Sequence, residues 1–256
     1  MKRFLILLLA LCATVESFGW GQKGHDIVAY IAECNLTPRA YRKVEAALEG
    51  HSPVYYANWL DNASHTPQYA YTKTWHYANV DEGESFQSQP RNEKGDVVKA
   101  VEEISAKLKS GKLSPEEENI NLRMLIHLVG DMHCPMHAGR LSDRGGNNVK
   151  VRFFGKSCKF HAVWDTELVE SAHRWGYTEW QREIDRATKA EKREIVAGTP
   201  AEWFVQTHAA AVEAYKHTPE GASLSYDYVA QFTPTVEVQL LRGGLRLAHL
   251  LNEIYK

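Results

Sequence analysis

Cysteine is scarce, at four in 256 residues, too few for the disulfide framework that holds small secreted domains together. A second long hydrophobic run is also missing. Beyond residue 20, no apolar stretch approaches the roughly 20 residues needed to cross a bilayer. Basic excess is the third absence: the formal charge is −2 at pH 7, which leaves no overall positive footprint for duplex nucleic acid. Any affinity for phosphate must therefore be local. Internal repeats, low-complexity tracts and interdomain linkers are lacking too, so one folded unit is expected.

What is present starts with the first 19 residues. Lys2 and Arg3 precede the apolar run "FLILLLALCA", and Ser17 and Gly19 put small residues three and one places before Trp20. This is the pattern of a secretory signal, cleaved to leave a mature chain 20–256 in the periplasm or outside the cell. Maturation leaves 28 basic and 31 acidic side chains. It also leaves Cys34, Cys134 and Cys158, which allow at most one disulfide and do not by themselves select the pair. Cys134 stands between histidines and is read as structural rather than as a metal ligand.

The hydrophobic periodicity is helical. Ile27, Ile31, Ala32 and Leu36 recur at helical spacing, as do Val97, Val101, Ile104 and Leu108. Ser114-Pro115-Glu116-Glu117 has the form of a helix cap, and a long helix is expected from there through "NINLRMLIHLVGDM" until Pro135 stops it. Segment 148–154 alternates instead, and Gly155-Lys156 suits a tight turn, so a small hairpin is predicted there. Further helices are predicted over about 161–173, 178–187 and 235–255. The last carries Gly243-Gly244 in its interior at about 1 kcal/mol per glycine relative to alanine, a cost tolerated where another helix packs very close.

Chemistry concentrates in "HLVGDMHCPMH". His127 and Asp131 are four apart, hence on one helix face and able to meet one ion. His137 lies beyond Pro135, and "HAVWD" repeats the four-residue step with His161 and Asp165. Upstream, Asp61 and His76 stand among aromatics in "YANWLD" and "TWHYANV". Imidazole nitrogen and carboxylate oxygen in this pattern suit zinc. His133, off the shared face, is assigned a supporting place beside the cluster. His51, His65, His173, His208, His217 and His249 are read as ordinary surface or core histidines.

The mature N-terminus adds a further donor. A free α-amino group titrates near 7.7–8.0, so a metal readily displaces its proton. The amine and carbonyl of Trp20 can chelate one ion, with His25 completing the site. Gly21 and Gly24 in "WGQKGH" permit close backbone approach.

These residues carry a resemblance. From "WGQKGH" through "WLD", "WHY", "HLVGDMHCPMH", "DRGGNN" and "HAVWD" to "GLRLAHLLN", nearly the whole mature chain resembles the zinc-dependent single-strand nucleases of fungi, plants and bacteria. That family shares a superfamily with bacterial zinc phospholipases C. The resemblance implies a mainly α, single-domain, multi-helix bundle around three zinc ions, with the small β-hairpin inserted. Asp61, His76, His127 and Asp131 would hold the first ion; His137, His161 and Asp165 the second; Trp20, His25 and a bridging Asp131 the third. Asp61 and Asp131 would position the attacking water.

By the same resemblance the substrate is single-stranded DNA or RNA, cut to 5′-phosphorylated products, with 3′-nucleotidase activity at the same site. The protein would act as a monomer, away from the membrane. Tyr77 falls where the family stacks a base, and Asn79, Gly146, Asn147 and Asn148 fall in substrate-contacting positions. Three departures are visible. Asn79 replaces an acidic residue found in some fungal members, Ser64 replaces a frequent basic residue, and Lys159 sits in "KFH" where "NLH" is common. Arg144, Lys150 or Lys73 are candidates to make up the charge missing at Ser64. A phospholipase C-like phosphodiesterase is the alternative, disfavoured by Asp165 in place of a glutamate and by the "GGNN" loop.

Overall fold

A Cβ on Gly244 would fall 2.4 Å from the Cβ of Ile31, and one on Gly243 would fall 3.1 Å from a Val28 methyl. The glycine pair lets the last helix lie directly on the first, as the sequence anticipates. The computed structural model describes residues 20–256; the expected signal segment 1–19 lies outside the described residues.

In chain order the elements are α1 (Gln22–Cys34), α2 (Pro38–Ala47), α3 (Pro53–Tyr56), α4 (Trp59–Ala63), α5 (Val97–Lys109), α6 (Pro115–Met132), β1 (Lys150–Phe153), β2 (Lys156–Lys159), α7 (Phe160–Ala162), α8 (Leu168–Ala172), α9 (Tyr177–Ile184), α10 (Lys189–Val196), α11 (Pro200–Lys216), β3 (Ser223–Leu224) and α12 (Tyr226–Ile254). Helices α1, α6 and α12 pack on one another, and α5 lies along α6. Their facing residues, including Ile27, Leu125, Val129, Leu240 and Leu247, are fully buried. The fold is mainly α, in a single domain. Among the described residues no helix is long and apolar enough to cross a membrane.

The cap on α6 forms as its sequence requires. Ser114 Oγ accepts from Glu117 N–H and Glu117 Oε2 accepts from Ser114 N–H, with Pro115 in the first turn. The helix ends at Met132, and Pro135 opens a 3-10 turn, Pro135–Ala138, that carries His137. Between α7 and α8 the chain widens into a π-turn, Val163–Glu167, with Asp165 inside it. Such turns occur mostly within α-helices and frequently at functional sites.

Four expectations are corrected. The hairpin turn is Phe154-Gly155, one residue earlier than expected, because Phe153 pairs with Lys156 and closes a two-residue loop. The hairpin also gains a third strand, β3, parallel to β1. Helix α9 stops at Ile184 rather than about 187: Asp185 turns out of the helix and pairs with Lys192 while accepting from Asn35. Helix α12 begins at Tyr226, nine residues before the expected start, and carries Pro234 inside it. Packing along α1, α8 and α10 outweighs the one hydrogen bond that proline removes.

No disulfide forms among the described residues. Cys34 is exposed, Cys134 buried and Cys158 partly buried, all as free thiols.

Candidate metal centre and active site

Asp131 is fully buried near the C-terminal end of α6, and four histidines converge on its carboxylate. His76 Nδ1 lies 2.8 Å from Oδ2 and His127 Nε2 3.1 Å from it. His25 Nε2 lies 3.3 Å and His137 Nδ1 3.8 Å from Oδ1. Asp61, from α4, reaches His127 Nε2 at 3.3 Å and His76 Nδ1 at 3.9 Å. On the other side His161 Nε2 lies 3.0 Å from Asp165 Oδ2, and His137 Nε2 lies 3.9 Å from Asp165 Oδ1. The structure thus gathers all eight predicted side-chain donors into one cluster.

Local sequence explains the approach of His25. Its ring stacks on His127 with centroids 4.0 Å apart, and a Cβ on Gly130 would sit 2.7 Å from its Nδ1. Glycine immediately before Asp131 therefore leaves the room that α1 needs to bring His25 in.

Trp20 is fully buried. The Gly21 N–H donates to the Asp165 carbonyl at 2.6 Å, and a Cβ on Gly24 would lie 2.8 Å from Trp20 Cβ. Both glycines are used for close approach, and the Gly21 hydrogen bond holds this segment beside Asp165.

The donor set fits divalent metal. His127 Nδ1 contacts the Ala57 carbonyl at 2.8 Å, His137 Nδ1 the His76 carbonyl at 2.5 Å, and His161 Nδ1 the Gly145 carbonyl at 2.6 Å. A carbonyl only accepts, so each Nδ1 carries a proton and each Nε2 is the atom turned towards the cluster, the arrangement of metal-bound histidine. Asp61 Oδ1, Asp131 Oδ1 and His161 Nε2 are buried without a hydrogen bond of ordinary geometry. A zinc tetrahedron with bonds of about 2.1 Å has edges of about 3.4 Å, comparable with the contacts above. Three subsets lie close enough to share an ion: His25, His127 and Asp131; Asp61, His76 and His127; Cys134, His137 and Asp165.

The charges are interdependent. Burial opposes a proton on His127, yet the carboxylates of Asp131 and Asp61 outweigh it and raise its pKa well above the usual value. Burial likewise opposes charge on Asp131, but His127 and His137 hold its carboxyl well below the usual range. His137 is pushed down by burial. His161 is burdened by burial, but Asp165 raises it on balance.

Cys134 donates to Asp165, and its thiol is pushed well up, first by burial and then by that carboxylate. His133 departs from its expected place. Its Nδ1 contacts the Val129 carbonyl at 2.7 Å and its Nε2 accepts from Arg246 at 3.0 Å. Burial and the Arg246 charge push it down to about 3. Nδ1 is thus spent on the last turn of α6 and Nε2 on Arg246 of α12, rather than on the donor cluster.

Tyr77 and Asn79 line a cavity of about 60 Å³ beside the centre, together with Phe86, Arg91 and Leu141. Asn79 Oδ1 is buried there without a hydrogen bond. Sequence reading missed Arg91, which donates two hydrogen bonds to the Asp96 carboxylate and lies over the Phe86 ring. Nothing in its local sequence distinguishes it from other surface arginines.

Gly146 is buried in the loop before β1, and its carbonyl accepts from His161 N–H at 3.3 Å. The Asn147 amide is occupied by the Arg144 carbonyl at 3.0 Å, while Asn148 is exposed. Ser64 is fully buried, and its hydroxyl closes the end of α4 on the Asp61 carbonyl.

Imidazole and carboxylate donors gathered inside a helical frame, with Asp61 the most exposed of those above, define a class: an α-helical domain built around a divalent-metal site. Comparison then gives the family. Residues 20–256 match the profile of the S1/P1 nucleases, and the chain belongs to that family; it is a nuclease, a hydrolase. It is 28% identical to Endonuclease 2 of Arabidopsis thaliana over 98% of this chain and 96% of that protein. It is 26% identical to Nuclease P1 of Penicillium citrinum over 92% and 98%. Nuclease S1 of Aspergillus oryzae is 28% identical over 67% of this chain and 62% of its own.

Proposed function

We propose that the chain is exported, trimmed to begin at Trp20, and acts as a monomeric zinc nuclease on single-stranded DNA and RNA. The reading rests chiefly on Asp131, a buried carboxylate flanked by four imidazoles. Three zinc ions would be held, one by Asp61, His76, His127 and Asp131, one by His137, His161 and Asp165, and one by the Trp20 amine and carbonyl with His25 and Asp131. When bound, zinc supplies a water acidified towards about pKa 7 and positive charge to hold the phosphate.

The chain's own residues do the rest. Asp61 and Asp131 would help hold the metal and orient a water towards the scissile phosphorus. Burial of the donors requires the phosphodiester to enter a recess, which a stacked, paired backbone resists. Tyr77 offers a base a stacking face, worth about 1–3 kcal/mol and indifferent to base identity. The Asn79 amide offers both a donor and an acceptor to a base edge. Gly146, Asn147 and Asn148 form the rim over which the strand passes. The products are 5′-phosphorylated, and a terminal 3′-phosphate is removed at the same centre.

The test is zinc content of the protein beginning at Trp20, measured alongside turnover of denatured DNA, RNA and duplex DNA. About three equivalents of zinc with cleavage of the single strands support the reading; no bound zinc and no restoration by added zinc sink it. A form carrying extra residues before Trp20 should hold less zinc and lose most activity. Full activity in that form removes the terminal amine from the ligand set.

A further inference from the structure

Between Asp143 and Asp165 the sequence contains no acidic residue but five basic ones, Arg144, Lys150, Arg152, Lys156 and Lys159. Four of these lie on the β1–β2 hairpin. Lys150 pairs directly with Lys159, and Arg152 with Ser157. Directly opposed residues share a face, and Val151 and Phe153, on the opposite face of β1, are buried in the core. The outer face therefore carries Lys150, Arg152 and Lys159, while Lys156 pairs with Phe153 and is exposed at the tip on the other side. None of the four makes an ion pair among the described residues. The nearby carboxylates are otherwise engaged. Glu220 accepts from the Lys150 backbone N–H, and Asp143 accepts from Gly146 N–H and the Tyr215 hydroxyl.

Like charges directly opposite one another destabilise a strand pair, and among the described residues no carboxylate forms an ion pair with either lysine. The tip is also unusual. Phe154 has φ +47°, a position that two-residue hairpins favour filling with Asn, Asp or Gly. It is 41% exposed and meets the 78% exposed Tyr226 edge to face at 4.8 Å. Unpaired cations beside two exposed rings are the composition of a single-strand-binding surface. Its position supports the same occupant: β2 runs straight into α7, placing Lys159 two residues before His161.

We infer that the outer face and tip of the β1–β2 hairpin bind the nucleic-acid strand beyond the scissile phosphate, through phosphate contacts from Lys150, Arg152, Lys156 and Lys159 and a base stacked at Phe154 and Tyr226. The inference rests on the nuclease reading and adds to it a preference for long strands. The hairpin would hold the strand while the buried centre cuts it.

The test uses the zinc-loaded enzyme, with an oligothymidylate of about twenty nucleotides and the dinucleotide TpT, over a range of salt. Arg152→Gln/Lys156→Gln removes the two cations farthest along the hairpin from His161. Its kcat/KM on the oligonucleotide should fall severalfold at low salt. The log–log salt slope should flatten by about 1.4, at about 0.7 per lost phosphate contact, while TpT turnover is unchanged. Phe154→Asn suits the turn better yet removes the ring, and it should cost about fivefold or more on the oligonucleotide alone. Equal losses on both substrates, or no loss on either, overturn the inference. So does variant-sensitive binding to phosphatidylserine vesicles with oligonucleotide turnover intact, which would make the hairpin a lipid-binding surface. Wild-type enzyme inactive on both substrates would sink the nuclease reading and this inference with it.

Discussion

The Cys134 thiol donates a hydrogen bond to Asp165 Oδ1 across 3.1 Å, with both residues fully buried. The same sulfur lies close enough to His137 and Asp165 to share an ion with them, so two roles are chemically open to it. Burial and the adjacent carboxylate both favour the neutral thiol, which makes Cys134 the group that orients Asp165. Cys134→Ser keeps a donor and should retain wild-type zinc content. Cys134→Ala should weaken zinc binding by about 10–100-fold, the usual cost of removing a ligand's hydrogen-bond partner. Loss of a zinc equivalent in the serine variant, read by elemental analysis, would instead make the sulfur a ligand.

Asp131 faces four histidines, whereas Asp165 is flanked by His137 and His161. Asp131→Asn should therefore lose more zinc than Asp165→Asn, and its activity should fall by about a hundredfold or more. Unbalancing a buried charge group costs on the order of 3–5 kcal/mol. Equal zinc loss in the two variants, measured on the same preparation, would argue against a shared Asp131.

Gly244 lies where α12 and α1 have no room for a methyl group. Gly244→Ala gains about 1 kcal/mol of helix propensity. It must also push Ile31 away from a contact of 2.4 Å, and overpacking of this kind costs about 1–3 kcal/mol. Net destabilisation is expected, read as a lower urea midpoint with unchanged slope. A stabilised variant would show that the two helices separate easily.

The cap of α6 gives a pH dependence with a definite sign. Hydrogen bonds from Ser114, chiefly its backbone N–H, lower the Glu117 pKa below its usual value. Above pH about 4.3 the charged carboxylate is favoured by the fold, and that contribution disappears as pH falls through the lowered folded value. Glu117→Gln should flatten this part of the acid limb and speed amide exchange in the first turn of α6. Ser114→Ala should cost about 1 kcal/mol at neutral pH. An acid limb identical in wild type and Glu117→Gln would refute the assignment.

Much of the donor cluster is legible in the chain because its spacing is local. His127 and Asp131, and likewise His161 and Asp165, are fixed four residues apart on helical backbone, so each pair shares a face whatever surrounds it. The Ser114 cap, the Pro135 stop and the glycine pair at 243–244 are equally local signals. Pro234 misleads for the complementary reason: its local cost is visible in sequence, whereas the packing that overrides it is not. His133 misleads because proximity in sequence to Asp131 does not say where its ring points.

The residue order alone determined which donors exist, which of them share a helical face, and where close helix contact is permitted. Tertiary structure decided what those donors meet. The carbonyls of Ala57, His76 and Gly145 that orient three imidazoles are backbone groups, carried by every residue and distinguished by none until the chain is folded. The thiol on Asp165, Arg91 on Asp96 and the opposed lysines of the hairpin are likewise products of packing and register. These join positions through space, and only the folded chain sets those distances.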